Sequence, residues 1–235
     1  LGNATGVDVA AGNNTIGGTA TGAGNVISGN AMGVSLGAGG NTLQGNRIGT
    51  NPAGTLAVGN GTGVDVGGAD NLVGGTAAGA GNVISGNFHG LNLRGNNSRV
   101  EGNLIGLTAD GSAPLGNVSE GILTQAFLGT TLFIGGTAPG ARNVISGNGT
   151  GIFVTNPPVD PPLGTVVIQG NYVGTDATGM FAVGNGLTNG HIAKAIWLAT
   201  DNNVVGGTAP GAGNLISGNL VPGVAVGWSG RAVVT

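Results

Sequence analysis

Cysteine is absent from the 235-residue chain, which excludes a disulfide framework, a thiolate zinc site and a cysteine nucleophile. Charge is nearly as scarce. Six Lys and Arg stand against nine Asp and Glu, 6% of the residues, where an ordinary domain carries about 25%. The cations are scattered (Arg47, Arg94, Arg99, Arg142, Lys194, Arg231) and form no basic stripe. That argues against nucleic acid and anionic membrane as partners. The net charge of −3 is too small to steer a ligand strongly. Aromatic residues make up 3%, so a large aromatic core is not expected. No apolar run approaches the roughly 18 residues of a membrane-spanning helix, and residues 1–10 do not read as a signal peptide.

Glycine is plentiful, with 54 residues. It does not recur at every third position, which excludes collagen. With 40% hydrophobic residues and so few charges the chain does not have the composition of a disordered one. What remains is a folded chain with many turns.

Internal repeats decide the architecture. Ile16-Gly17-Gly18-Thr19 recurs as Val73–Thr76, Ile134–Thr137 and Val205–Thr208. Asn25-Val26-Ile27-Ser28-Gly29-Asn30 follows each time, recurring at Asn82–Asn87, Asn143–Asn148 and Asn214–Asn219. Gly18, Gly75, Gly136 and Gly207 are spaced by 57, 61 and 71 residues. Each unit splits into two halves, opened by Gly6-Val7-Asp8-Val9 and by Gly33-Val34-Ser35-Leu36. The second half carries Leu43-Gln44-Gly45-Asn46-Arg47-Ile48-Gly49-Thr50, which recurs at Val100–Leu107 and Ile168–Thr175.

Within each half the apolar residues alternate, as in Val7 and Val9, Val34 and Leu36, or Leu91 and Leu93. Period two means strand, and no longer stretch shows the 3.6-residue period of a helix. Short strands bounded by Gly and Asn, about three per half-unit, predict an all-β parallel β-solenoid in which each half-unit is one coil. The expectation is one domain, 1–235, of about eight coils with no substantial helix. Val7, Val9, Ile16, Ile27, Val34, Leu36, Leu43 and Ile48 should point inward. Asn25, Asn82, Asn143 and Asn214 fill one structural position and Asn46, Asn103 and Asn171 another. There, left-handed Asn residues could bond from coil to coil in ladders.

These repeats resemble those of the right-handed parallel β-helices of the pectin-lyase-like superfamily. The segment Ile-Gly-Gly-Thr-x-x-Gly-Ala-Gly-Asn-Val-Ile-Ser-Gly-Asn is similar to tandem arrays of large secreted bacterial proteins. The resemblance implies a right-handed coil and an extracellular or cell-surface location. It implies no one activity, because the superfamily holds lyases, hydrolases, epimerases, tailspikes and plain stalks.

Departures from the repeat mark the candidate site. Insertions fall near 155–163 and 187–194, and they bring Asp160, Asp176, His191 and Lys194 toward Trp197 in sequence. Aligning Trp197 with Asp8 predicts an outward ring that could stack on a sugar; the alternative is a set of solvated loop tips. His89 reads as a turn residue without an acid partner. Asp8 and Asp65 share a row two coils apart. Paired acids and Ca²⁺-type carboxylate clusters are not evident, so no catalytic residue, cofactor or metal is expected.

Three functional classes fit this pattern. The first, which the scarcity of charge favours, is a structural or adhesive spacer or filament-forming module without catalytic activity. Its partners would be neighbouring repeats or copies of itself end to end. The second is a carbohydrate-binding or polysaccharide-processing β-helix that uses residues 155–197. The third is an ice-binding face, for which only the row Ser28, Ser85, Ser146 and Ser217, alternating with Gly49, Gly106 and Gly174, is regular. By alignment the chain starts late in one coil and stops early in another. That predicts open strand edges, and either a longer polypeptide or head-to-tail stacking.

Overall fold

The computed structural model describes residues 2–127, 129–155, 164–186, 193–227 and 232–234. It is a parallel β-solenoid with no helix among the described residues. Three sheets run its length. The first sheet stacks Thr5–Val9, Met32–Leu36, Thr62–Val66, His89–Leu93, Glu120–Gln125, Thr150–Thr155, Ile196–Leu198 and Val224–Val226 in chain order. The second sheet stacks Thr15–Gly17, Thr42–Gln44, Leu72–Gly74, Arg99–Glu101, Thr131–Gly135, Thr165–Gln169, Asn203–Val205 and Ala232–Val234. The third holds seven two-residue strands, from Val26–Ile27 to Leu215–Ile216. Each coil visits the three sheets once, so the described chain makes seven complete turns and most of an eighth. Below, coils are counted from Thr5.

The main core is an apolar column inside the three sheets, and a smaller cluster gathers Leu107, Val144 and Val183. Val34, Leu36, Leu43 and Ile48 have no solvent exposure, and their counterparts Val64, Val66, Val73 and Ile84 match them. Val9 and Ile27 are buried, and Val7 and Ile16 are partly buried against the same column. Parallel strands in register bring like residues onto like residues, so each inward row is a continuous apolar stack.

Asparagine holds the corners, but not in the grouping that the spacing suggests. Asn25, Asn46, Asn82, Asn103, Asn143, Asn171 and Asn214 form one column rather than two. Each donates its backbone N–H and its Nδ2–H to the Oδ1 of the next member, as Asn46 does to Asn82, both at 3.0 Å. Alternate coils reach this corner by a long path, such as 18–24, or through a single residue, such as Gly45. The sequence spacing therefore separates positions that space unites. A second column, Asn3, Asn30, Asn60, Asn87, Asn117, Asn148, Asn185 and Asn219, stands between the third sheet and the first. A third, Asn14, Asn41, Asn71 and Ser98, lies between the first and second sheets. The column residues are not left-handed. In the third column that conformation falls on the residue before, at Asn13, Gly40, Asp70 and Asn97, with φ between 55° and 73°.

The two-coil repeat has a physical cause. Odd coils loop out at the corner between the second and third sheets, at 18–24, 75–81, 136–142 and 207–213. Even coils loop out at the next corner, closed by antiparallel bridges Thr50–Ala57, Leu107–Pro114 and Thr175–Ala182. A protruding loop needs about 10 Å of axial room, and two strand spacings of roughly 4.8 Å supply it where one does not. Loops of one kind stack on each other across the intervening coil. Ala109 N–H donates to Gly54 O and Ala177 N–H to Gly111 O, both at 2.9 Å. The result is two fins running along two corners.

Candidate functional site

The outward row of the first sheet runs Asp8, Ser35, Asp65, Asn92, Leu123, Phe153, Trp197 and Ala225, as the alignment of half-units predicts. Strict register places these side chains on successive coils, about 4.8 Å apart along the axis. Flanking it on one side is the row holding Met32, Thr62 and His89. On the other side stand Arg94 and Gln125, each one residue beyond the registered pair Leu93 and Thr124.

A hollow of about 340 Å³ opens on this face, lined by Met32, Asp65, Asn92, Arg94, Leu123 and Gln125. Arg94 Nη2 donates to both carboxylate oxygens of the Asp65 side chain, at 2.8 and 2.6 Å. Its Nε and the Oδ1 of Asn92 have no hydrogen-bond partner among the described residues. In the neighbouring row His89 Nδ1 lies 2.6 Å from Glu120 Oε2. The sequence reading of His89 as partnerless is therefore corrected: strand register brings in Glu120 from the next coil. Farther along the row, Phe153 and Trp197 stack with centroids 4.6 Å apart and planes inclined by 22°.

The site residues expected from sequence do not come together as one cluster. Asp160 and His191 lie outside the described residues. Asp176 belongs to the loop of the sixth coil and is buried. Its Oδ1 accepts from the Thr178 hydroxyl and from the N–H groups of Met180 and Phe181, and its Oδ2 accepts from Thr178 at 2.7 Å. The Thr178 hydroxyl and these N–H groups hold its carboxyl below the usual aspartate range, against the opposing effect of burial. Asp176 thus shapes its loop, as Asp110 does through Thr108 and Ser112. Lys194 enters the seventh coil through its carbonyl, which accepts from Gly151 N–H at 3.2 Å. Trp197 is half-buried on the outward face as expected, with Phe153 against it.

Asn92, Arg94, Leu123 and Gln125 escape a reading that looks for insertions, because they sit in regular coils. The register itself was the available signal, since it places Asp65, Asn92 and Leu123 in one row. Among the described residues no three His, Asp or Glu side chains converge as a metal site. The serine row offers no ice plane. Ser85 and Ser146 are fully buried, and their hydroxyls donate to Leu107 O and Thr175 O at 2.8 and 2.7 Å. Comparison with family models, curated proteins and solved structures finds no match in any of the three.

Proposed function

We propose that this chain is a non-catalytic structural spacer, a stiff length of rod that sets a fixed distance in an extracellular or cell-surface assembly. The observation that carries this reading is the set of asparagine columns. The column through Asn25 and Asn214 and the one through Asn3 and Asn219 clamp the first seven coils to one another with paired backbone and side-chain donors. Buried polar groups satisfied in this way fix one geometry along the whole rod, because a slipped register would leave many of them unpaired. The scarcity of charge fits a scaffold, and the ion pairs among the described residues are local, such as Arg94 with Asp65. The extracellular setting rests on the resemblance of the sequence repeat to those of pectin-lyase-like β-helices and of arrays in secreted bacterial proteins. End-to-end contact between copies, through the parallel strand edges of the outer coils, is part of the same proposal.

Stretching the 235-residue chain between its ends in an optical trap tests the spacer. It should hold its length, about 38 Å for eight coils, and then give way in steps of one or two coils. Smooth lengthening at low force would contradict the proposal. Turnover of a polysaccharide that disappears in Lys194→Ala or His191→Ala would also overturn the non-catalytic reading.

A further inference from the structure

The hollow between Asn92 and Leu123 has no role in the rod, and its chemistry points to a ligand. We infer that the outward face of the first sheet binds a neutral polysaccharide laid along the solenoid axis, with one sugar ring in the hollow lined by Met32, Asp65, Asn92, Arg94, Leu123 and Gln125. This goes beyond the spacer reading, which stands without it.

A sugar ring presents C–H surface on its faces and hydroxyls around its rim. The hollow offers matching groups. Met32 and Leu123 supply apolar surface, and Asn92, Gln125 and Arg94 supply amide and guanidinium groups at its edge. Asn92 Oδ1 lacks a donor and Arg94 Nε lacks an acceptor among the described residues. Unpaired polar atoms at such sites are uncommon in folded proteins. Both atoms are shielded from solvent as the side chains lie; a hydroxyl both donates and accepts, so one class of ligand suits both once those side chains turn toward the hollow. Leu123 continues directly into Phe153 and Trp197, so apolar surface extends along the axis for two further coils. Every one of these residues is fixed by a registered strand or lies next to one, so little ordering is left to oppose binding.

Charge selects the neutral class. Arg94 is already paired with Asp65, and His89 with Glu120. Asp8 adds a further carboxylate to the row. A uronate chain would bring carboxylates beside Asp8, Asp65 and Glu120 with no uncommitted cation among the hollow's lining residues to receive them. A neutral chain meets no such opposition.

Affinity electrophoresis of the 235-residue chain in gels cast with dextran, mixed-linkage β-glucan, xyloglucan or galactomannan tests the inference, with polygalacturonate and alginate as acidic probes. At least one neutral glycan should retard the protein, and neither acidic one should. Asn92→Ala and Gln125→Ala each replace an outward side chain, so both should melt like the parent while weakening retention about tenfold, the scale of one or two lost hydrogen bonds. Ser35→Ala, in the same row but outside the hollow, should bind as the parent does. Retardation by no neutral glycan, stronger retardation by an acidic one, or parental retention by both hollow variants would overturn the inference. None of these results touches the spacer, which the stretching experiment decides separately.

Discussion

Thr124 sits where an apolar residue belongs. Its row in the first sheet reads Val9, Leu36, Val66, Leu93, Thr124, Val154 and Leu198, all facing the core. The side chain is fully buried and its hydroxyl has no hydrogen-bond partner among the described residues. Valine has nearly the same shape without the polar atom. Thr124→Val should therefore raise stability by about 1–2 kcal/mol, the desolvation cost of an unpaired buried hydroxyl. A urea midpoint that falls instead would mean that the hydroxyl is bonded. Asp176 gives a second test. Its carboxyl is more acidic in the folded chain than in an unfolded one, chiefly because Thr178 donates to the ionised form. The stabilisation is thus fully present above the unfolded value of about 3.9, and is lost as pH falls through the lower folded value. The stability advantage of the parent over Asp176→Asn should narrow as pH falls below about 3.9. A gap that stays constant over that range would show that the charged form is not the one held. His89 marks the limit of reading single residues. No neighbour in sequence identifies Glu120 as its partner, since the contact exists only through coil register.

At the scale of elements, the alternating apolar pairs were enough to predict strands, inward rows and the outward row down to Trp197. Strand alternation and coil register are local regularities, and a repeat makes them visible many times over. The asparagine columns were legible only in part. Asn46 and Asn82 carry different flanking motifs, and only the closed coil shows that a seven-residue loop and a single Gly45 end at the same corner. The column through Asn60, Asn117 and Asn185 went unread, although a Gly-Asn pair marks all its members: Asn87 and Asn148 close Ser-Gly-Asn motifs, whereas Asn60, Asn117 and Asn185 close Val-Gly-Asn or Leu-Gly-Asn loop ends of the even coils. The fins supply the prediction that belongs here. Gly22 and Gly79 are equivalent loop positions, both left-handed, with φ of 83° and 80°. A methyl group on Gly22 would meet nothing within 4 Å, whereas one on Gly79 would lie 2.3 Å from Thr19 O. Gly22→Ala should cost about 1–2 kcal/mol from backbone conformation alone. Gly79→Ala should cost about 1–3 kcal/mol more, because the stacked loop must also move. Equal losses in denaturant titrations would show that odd-coil loops do not support one another in solution.

For the whole molecule, the question is how far one coil feels another. Stability in a stacked array is roughly a sum of coil terms and nearest-neighbour terms. Here the connections have definite reach. Asn82, in the third coil, donates to Leu43 O of the second and to Asn103 Oδ1 of the fourth. The odd-coil fin reaches farther, from Gly79 to Thr19 of the first coil and from Gly140 of the fifth to Thr76 of the third. Ile84 is a fully buried core residue of the third coil, registered between Ile48 and Ile105. Ile84→Asp would place an unpaired charge in that narrow core and should cost about 3–5 kcal/mol. Its effect should be graded along the rod. Amide exchange should accelerate most in the second to fourth coils, through lost packing and the asparagine columns. It should accelerate less in the first and fifth, through the fin, and stay near parental protection in the sixth and seventh. Hydrogen-exchange mass spectrometry on coil-sized peptides measures this directly. Uniform acceleration along the chain would mean that the rod opens as one cooperative unit, and parental exchange everywhere would mean that Ile84 does not face the core.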